Sequence, residues 1–167
     1  MATSKTNYTT DEKNNTIIAE RIFNAPIDVV WQAWTDATIL SEWWAPKPWK
    51  AVTDKMDFRE GGSWFYAMVG PNGEKHWSKA EFTKIIPQKL FKVKDYFADE
   101  KGNKIADMPS SQWTNEFEAK GETTKVTSTL IFENRTAMDK LISMGFKEGF
   151  AMGHENLDAY LEKAKVK

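Results

Sequence analysis

The sequence predicts an α+β fold, with one antiparallel sheet and a helix laid across it. Three observations carry that expectation. From Ala51 to Phe132 the apolar positions recur with period two, and turn signals at Gly61-Gly62, Asn72-Gly73, Pro87-Gln88 and Gly121-Glu122 divide the run. Ahead of it lie one β-branched strand and two short helical segments. From Ala137 onward the spacing returns to threes and fours.

The elements follow in order. Residues 1–14 are polar and are expected to form a flexible tail, with 15–167 as a single domain. "TIIAERIFN" (16–24) reads as a strand. In "APIDVVWQAWTD", Pro26 suits a first helical turn, and Ile27, Val30, Trp31 and Trp34 make an apolar face. Asp36 is placed to cap a second helix through "ATILSEWW", which "APKPW" ends. Six strands are expected at 51–58, 62–70, 75–86, 90–97, 111–119 and 123–132, for about seven in all. "ADEKGNKIADMPS" is a polar loop. "MGFKEGFAMGHENLDAYLEK" then reads as a helix through Phe146, Phe150, Leu157 and Leu161.

That helix carries Gly145, Gly149 and Gly153 at four-residue spacing, although each interior glycine costs about 1 kcal/mol relative to alanine. The stripe admits close approach to the sheet, leaves room beneath the helix, or contains a break at Gly145 after a shorter helix over 137–144. The favoured expectation is a roof that spares volume.

Turn positions assign strand faces. A turn centred on Asn72-Gly73 sets Met68 opposite Trp77, Tyr66 opposite Lys79 and Trp64 opposite Glu81, all on one face. Phe65, Ala67, Ser78, Ala80 and Phe82 take the other. A turn at Pro87-Gln88 groups Thr83 and Ile85 with Phe91, Val93 and Asp95, and leaves Lys84, Lys92 and Lys94 to solvent. Gly121-Glu122 pairs Phe117 with Val126, Asn115 with Ser128, and Trp113 with Leu130. The expected inner face therefore holds Trp64, Tyr66, Trp77, Phe91, Trp113 and Phe117 beside the polar Glu81, Asp95, Asn115 and Ser128. Those polar groups either satisfy one another, lie exposed, or orient a ligand.

Composition narrows the function classes. The chain has 167 residues, a net charge of −1 and no cysteine, which excludes disulfides and thiol chemistry. Charge this balanced argues against nucleic-acid binding. The start has no apolar signal region, and no apolar run reaches membrane-span length, so a cytoplasmic protein is expected. Eight tryptophans exceed what packing at this size needs, so some are expected to line a space. His76 and His154 form no ligand array, and neither a metal nor a cofactor is expected. His154 reads as a surface or interface residue. Glu81 and Asp95 would make an acid/base pair if both were interior. Asp57 and Arg59 suggest a structural salt bridge. Trp43 and Trp44 serve as a packing plug or as a lip to the cavity.

Several pieces together resemble one family. "FNAPIDVVWQAWTDATILSEWWAP" (23–46), "DFREGGSWFYAMVGPNGE" (57–74), "KIIPQKLF" (84–91) and "GFKEGFAMGHENLDAYL" (145–161) resemble, in order and spacing, the SRPBCC or START-like superfamily. The branch they resemble is named for homologues of the activator of heat-shock-protein-90 ATPase. The resemblance spans about residues 16–163 and implies a helix-grip fold, a curved sheet wrapped around a long C-terminal helix and enclosing a cavity. Phe146 and Phe150 stand where that family often has tryptophan. The function expected is binding of a small hydrophobic or aromatic ligand, in a cavity between the sheet and the C-terminal helix, by Trp64, Tyr66, Trp77, Trp113, Phe117, Phe146 and Phe150, with Glu81, Asp95, Asn115 and Ser128 orienting it. The alternatives are a chaperone-associated interaction domain and a cyclase- or hydrolase-type enzyme with an interior carboxylate. The chain is expected to be a monomer or a homodimer.

Overall fold

The computed structural model of the protein describes residues 5–166. Eight antiparallel strands form one sheet, ordered β1-β2-β8-β7-β6-β5-β4-β3. They are β1 (Asn7–Asp11), β2 (Thr16–Phe23), β3 (Lys50–Met56), β4 (Ser63–Val69), β5 (Lys75–Ile86), β6 (Leu90–Ala98), β7 (Ser110–Lys120) and β8 (Thr123–Phe132). Helices α1 (Ile27–Thr35) and α2 (Ala37–Trp43) connect β2 to β3, and α3 (Arg135–Ser143) and α4 (Phe146–Val166) follow β8. This is the α+β helix-grip architecture, with one strand more than expected.

The extra strand corrects the assignment of residues 7–11 to a tail. β1 pairs with β2 from Asn7↔Glu20 to Asp11↔Thr16. Its sequence is polar because side-chain hydrogen bonds, rather than burial, hold it down. The Tyr8 hydroxyl donates to the Lys147 carbonyl at 2.7 Å, and Lys147 Nζ donates to Thr10 Oγ1 at 2.8 Å.

The first two helices begin where their sequences indicate. Asp36 caps α2, its carboxylate accepting from the Thr38 and Ile39 amides at 2.8 and 3.3 Å. Asn134 caps α3 through Ala137 N at 2.8 Å. The expected single C-terminal helix is two. Gly145 has φ +90°, in the left-handed region that favours glycine, and it separates α3 from α4.

Strand register differs from expectation at one hairpin. Pro71-Asn72-Gly73 is a three-residue loop closed by the Gly70 amide donating to the Glu74 carbonyl at 2.8 Å, with Gly73 at φ +85°. Trp64 therefore pairs with Ala80, Tyr66 with Ser78 and Met68 with His76. This one-residue shift reverses the faces of β5 from Lys75 to Phe82. Trp77 and Glu81 join Phe65 on the outer face, and Ala80 and Phe82 turn inward. A bulge at Thr83 then sets Phe82, not Thr83, opposite Val93, while Ile85 still meets Phe91. The β7–β8 register is as expected, from Trp113↔Leu130 to Phe117↔Val126. The Asp57–Arg59 salt bridge forms at 2.9 Å.

The concave face is filled by aromatic rings. Trp34 lies 4.9 Å from Trp43, 6.0 Å from Trp44, 5.8 Å from Phe117 and 6.3 Å from Phe150, centroid to centroid. The glycine stripe does not spare volume beneath a roof. A Cβ on Gly153 would meet the backbone oxygens of Trp44 and Trp43 at 3.2 and 3.3 Å. The glycine lets α4 touch the end of α2. Asn156 Nδ2, one turn on, donates to the Ala45 and Trp43 carbonyls at 3.1 and 3.4 Å.

A Cβ on Gly149, by contrast, would meet only Pro46 Cγ, at an ordinary 3.7 Å. Chemical denaturation should therefore separate the two positions. Gly149→Ala is expected to gain about 0.5–1 kcal/mol from helix propensity. Gly153→Val is expected to lose about 1–3 kcal/mol from overpacking against fixed backbone.

Candidate functional site

Strands β4 to β7 bring one inward patch from four segments of sequence. Trp64 and Tyr66 come from β4, Ala80 and Phe82 from β5, Phe91, Val93 and Asp95 from β6, and Trp113 and Asn115 from β7. Together with Trp34, Leu40, Trp44 and Met56 they surround a small void. A volume of about 40 Å³ of it is open to a water-sized sphere. That is room for a few heavy atoms, since one water needs about 10–15 Å³ by this measure.

The wall is held in place by hydrogen bonds from its indoles. Trp44 Nε1 donates to the Tyr66 hydroxyl, Trp64 Nε1 to Thr53 Oγ1 and Trp113 Nε1 to Ser111 Oγ, each at 2.9 Å. The Trp64 and Tyr66 rings stack at 3.8 Å. Burial pushes the Tyr66 hydroxyl well above the ordinary tyrosine range, so it stays neutral.

Asp95 is the exception in this wall. It retains some accessible surface, yet protein atoms crowd it closely. Among the described residues no side chain pairs with it. Burial pushes its carboxyl up to about 7. Two donors stand near the same void without protein partners: Trp34 Nε1 is buried and unpaired, and the Asn115 amide nitrogen makes no hydrogen bond among the described residues. The Asn115 carbonyl is engaged, accepting from Ser128 Oγ at 2.6 Å.

The expected site residues therefore divide. Trp64, Tyr66, Asp95, Trp113 and Asn115 meet at the void. Phe117 and Ser128 lie beside it in the packed core, and Phe146 and Phe150 pack on the Trp113 ring at 5.9 and 5.5 Å. Trp77 and Glu81 do not join them. Trp77 stacks on Phe65 at 4.8 Å on the outer face, where Glu81 accepts from the Tyr96 hydroxyl at 2.6 Å. Glu81 and Asp95 thus stand on opposite faces, and the acid/base pair does not form. Ala80, Phe82 and Met56 were missed because their facing depends on the register. Trp44 lines the void while also packing, which joins both readings of that residue.

His154 is buried, which corrects its placement at the surface. Thr6 Oγ1 lies 2.6 Å from its Nδ1 and accepts from Arg21 Nη1 at 2.9 Å, while Arg21 Nη2 holds Asp158 at 2.5 Å. His154 Nε2 is buried and has no partner among the described residues. Burial and the Arg21 charge push His154 down to about 3, so it is neutral. Among the described residues there is no group of His, Cys, Asp and Glu side chains able to hold a metal ion. No helix is long and apolar enough to cross a membrane.

The Asp95 shift makes stability depend on pH. The folded protein binds the Asp95 proton more tightly than the unfolded chain does. Stability is therefore greatest below the ordinary carboxylate range and falls as pH rises through about 7. Asp95→Asn should remove that fall. Denaturation across pH is expected to show the variant more stable by roughly 2–3 kcal/mol above neutrality, the gain shrinking as pH falls from about 7 and absent below about 4.

Comparison with known proteins places this geometry among relatives. Protein Ms6760 from Mycobacterium smegmatis is similar at 30% identity, covering 94% of this chain and 96% of its own, with a TM-score of 0.87. A protein from Arthrobacter aurescens is similar at 30% identity, covering 94% and 91%, with a TM-score of 0.89. One from Staphylococcus epidermidis is similar at 31% identity, covering 93% and 94%, with a TM-score of 0.81. No curated protein matches the chain. The family model described as Activator of Hsp90 ATPase homolog 1-like protein matches residues 24–162, and the chain belongs to that family.

Proposed function

We propose that this chain is a ligand-binding domain whose occupant enters the void between β4–β7 and the end of α2. The occupant is small and mostly apolar, with one polar group. One observation carries this reading. An apolar void persists in a core otherwise filled by rings, and its wall holds a carboxylate without a protein partner. Binding sites combine apolar lining with a few placed polar groups. A larger aromatic ligand would require Trp44 to swing aside, and Trp44 stands at the end of α2 rather than within a strand.

A second reading, a chaperone-associated interaction domain, is supported by the family description and by the outer face. There Phe65 and Trp77 stack, and Val52 is 52% exposed. Phe82 is no part of that surface, since it turns inward. Of the enzymatic reading, the Glu81–Asp95 pair is lost, while Asp95 remains as a single interior carboxylate.

Filling the void separates the two readings. Ala80 lines it and has little room elsewhere. Native mass spectrometry of freshly purified protein is expected to show a bound small molecule, and Ala80→Leu to lose it with folding retained. Ala80→Leu should also abolish any tryptophan fluorescence change caused by small apolar ligands. An interaction domain would instead keep its protein partner after this substitution. Unchanged ligand retention in folded Ala80→Leu would sink the reading.

A further inference from the structure

The void has an unusual charge environment. Its lining includes no lysine, arginine or histidine, and Asp95 is its only acidic residue. The neighbouring Lys94 alternates to the outer face with Glu81. A charge taken from water without a partner is costly, and a core position of this size has neutral solutions such as asparagine or leucine. The other walls are indoles. Trp44 lies 5.6 Å from Trp64 and 6.1 Å from Trp113, with Tyr66 stacked behind Trp64. Ring faces carry negative quadrupole charge, which opposes an anion and attracts a cation.

We infer that the void selects a cation: a small alkylammonium group whose charge meets the Asp95 carboxylate and whose methyl groups meet Trp44, Trp64 and Trp113. This rests on the reading of the void as a ligand site and assigns the ligand's charge. An ammonium supplies the partner that Asp95 lacks and is attracted by the indoles at the same time. A neutral alcohol of equal size gains one hydrogen bond but leaves the carboxylate charge unmatched. A small carboxylic acid, ionised near neutrality, finds the unpaired donors of Trp34 and Asn115 but meets the Asp95 charge. The void admits only a few heavy atoms, which limits the class to methylated or short-chain ammonium groups.

The test uses trimethylammonium, 2-propanol and acetate, three probes of matched size and different charge. Each is titrated at pH about 8, where Asp95 is ionised and trimethylammonium still carries its proton, at constant ionic strength. Indole N–H signals in proton–nitrogen spectra report occupancy. Trimethylammonium is expected to shift Trp44, Trp64 and Trp113 saturably, with half-saturation at least about tenfold below that of 2-propanol. Acetate is expected to shift none of them. Asp95→Asn should raise the trimethylammonium half-saturation about tenfold and leave 2-propanol within about twofold. Asp95→Ser is the second variant should the asparagine form fold poorly. If 2-propanol binds as tightly as trimethylammonium, or Asp95→Asn leaves the cation unaffected, the assignment of charge fails while the ligand site stands. If no probe moves these indoles, and the Ala80→Leu protein gives the same spectra with every probe, both fail.

Discussion

The approach of α4 to the end of α2 is the constraint on which the rest of the interior depends. Gly153 brings the helix backbone against the carbonyls of Trp43 and Trp44, and Asn156 donates to the carbonyls left open where α2 ends. A side chain at 153 would hold the two apart. With it absent, Trp43, Trp44 and Phe150 meet Trp34 at centroid distances from 4.9 to 6.3 Å. The cost of a glycine inside a helix is recovered as ring packing across the sheet.

That contact also explains the small size of the void. A curved sheet under a distant roof would enclose a large cavity. Here the roof reaches the floor through the α2 tryptophans, and what remains is the gap between Trp44 and β4 to β7. Most indoles of this cluster face a hydrogen-bond acceptor of their own, which fixes ring orientation as well as position. The void is thus bounded by groups with little freedom to collapse into it.

Two buried titratable side chains show how differently the interior treats charge. His154 is pushed to its neutral form, and its Nδ1 joins a chain through Thr6, just ahead of β1, to Arg21 of β2 that ties them to α4. It is structural: Nδ1 has a hydrogen-bond partner, and the unpartnered Nε2 belongs to a neutral ring. Asp95 is also pushed toward neutrality, but nothing among the described residues answers it. The same burial that makes one group inert leaves the other without a partner beside an open space.

Local patterning determined the element types, the helix start at Pro26, the cap at Asp36, the β7–β8 register and the family pattern, because each depends on residues a few positions apart. Asp95, Trp64, Tyr66, Trp113 and Asn115 were legible as inward because alternation along their own strands places them. The faces of Trp77, Glu81, Ala80 and Phe82 were not legible. They hinge on whether Pro71-Asn72-Gly73 closes as a two- or three-residue loop and on a bulge at Thr83, and one residue reverses a strand. β1 was hidden because polar contacts with α4 hold it. The role of Gly153 and the burial of His154 were decided only by tertiary structure. Both depend on what lies opposite a helix face, and that neighbour comes from more than a hundred residues away in the chain.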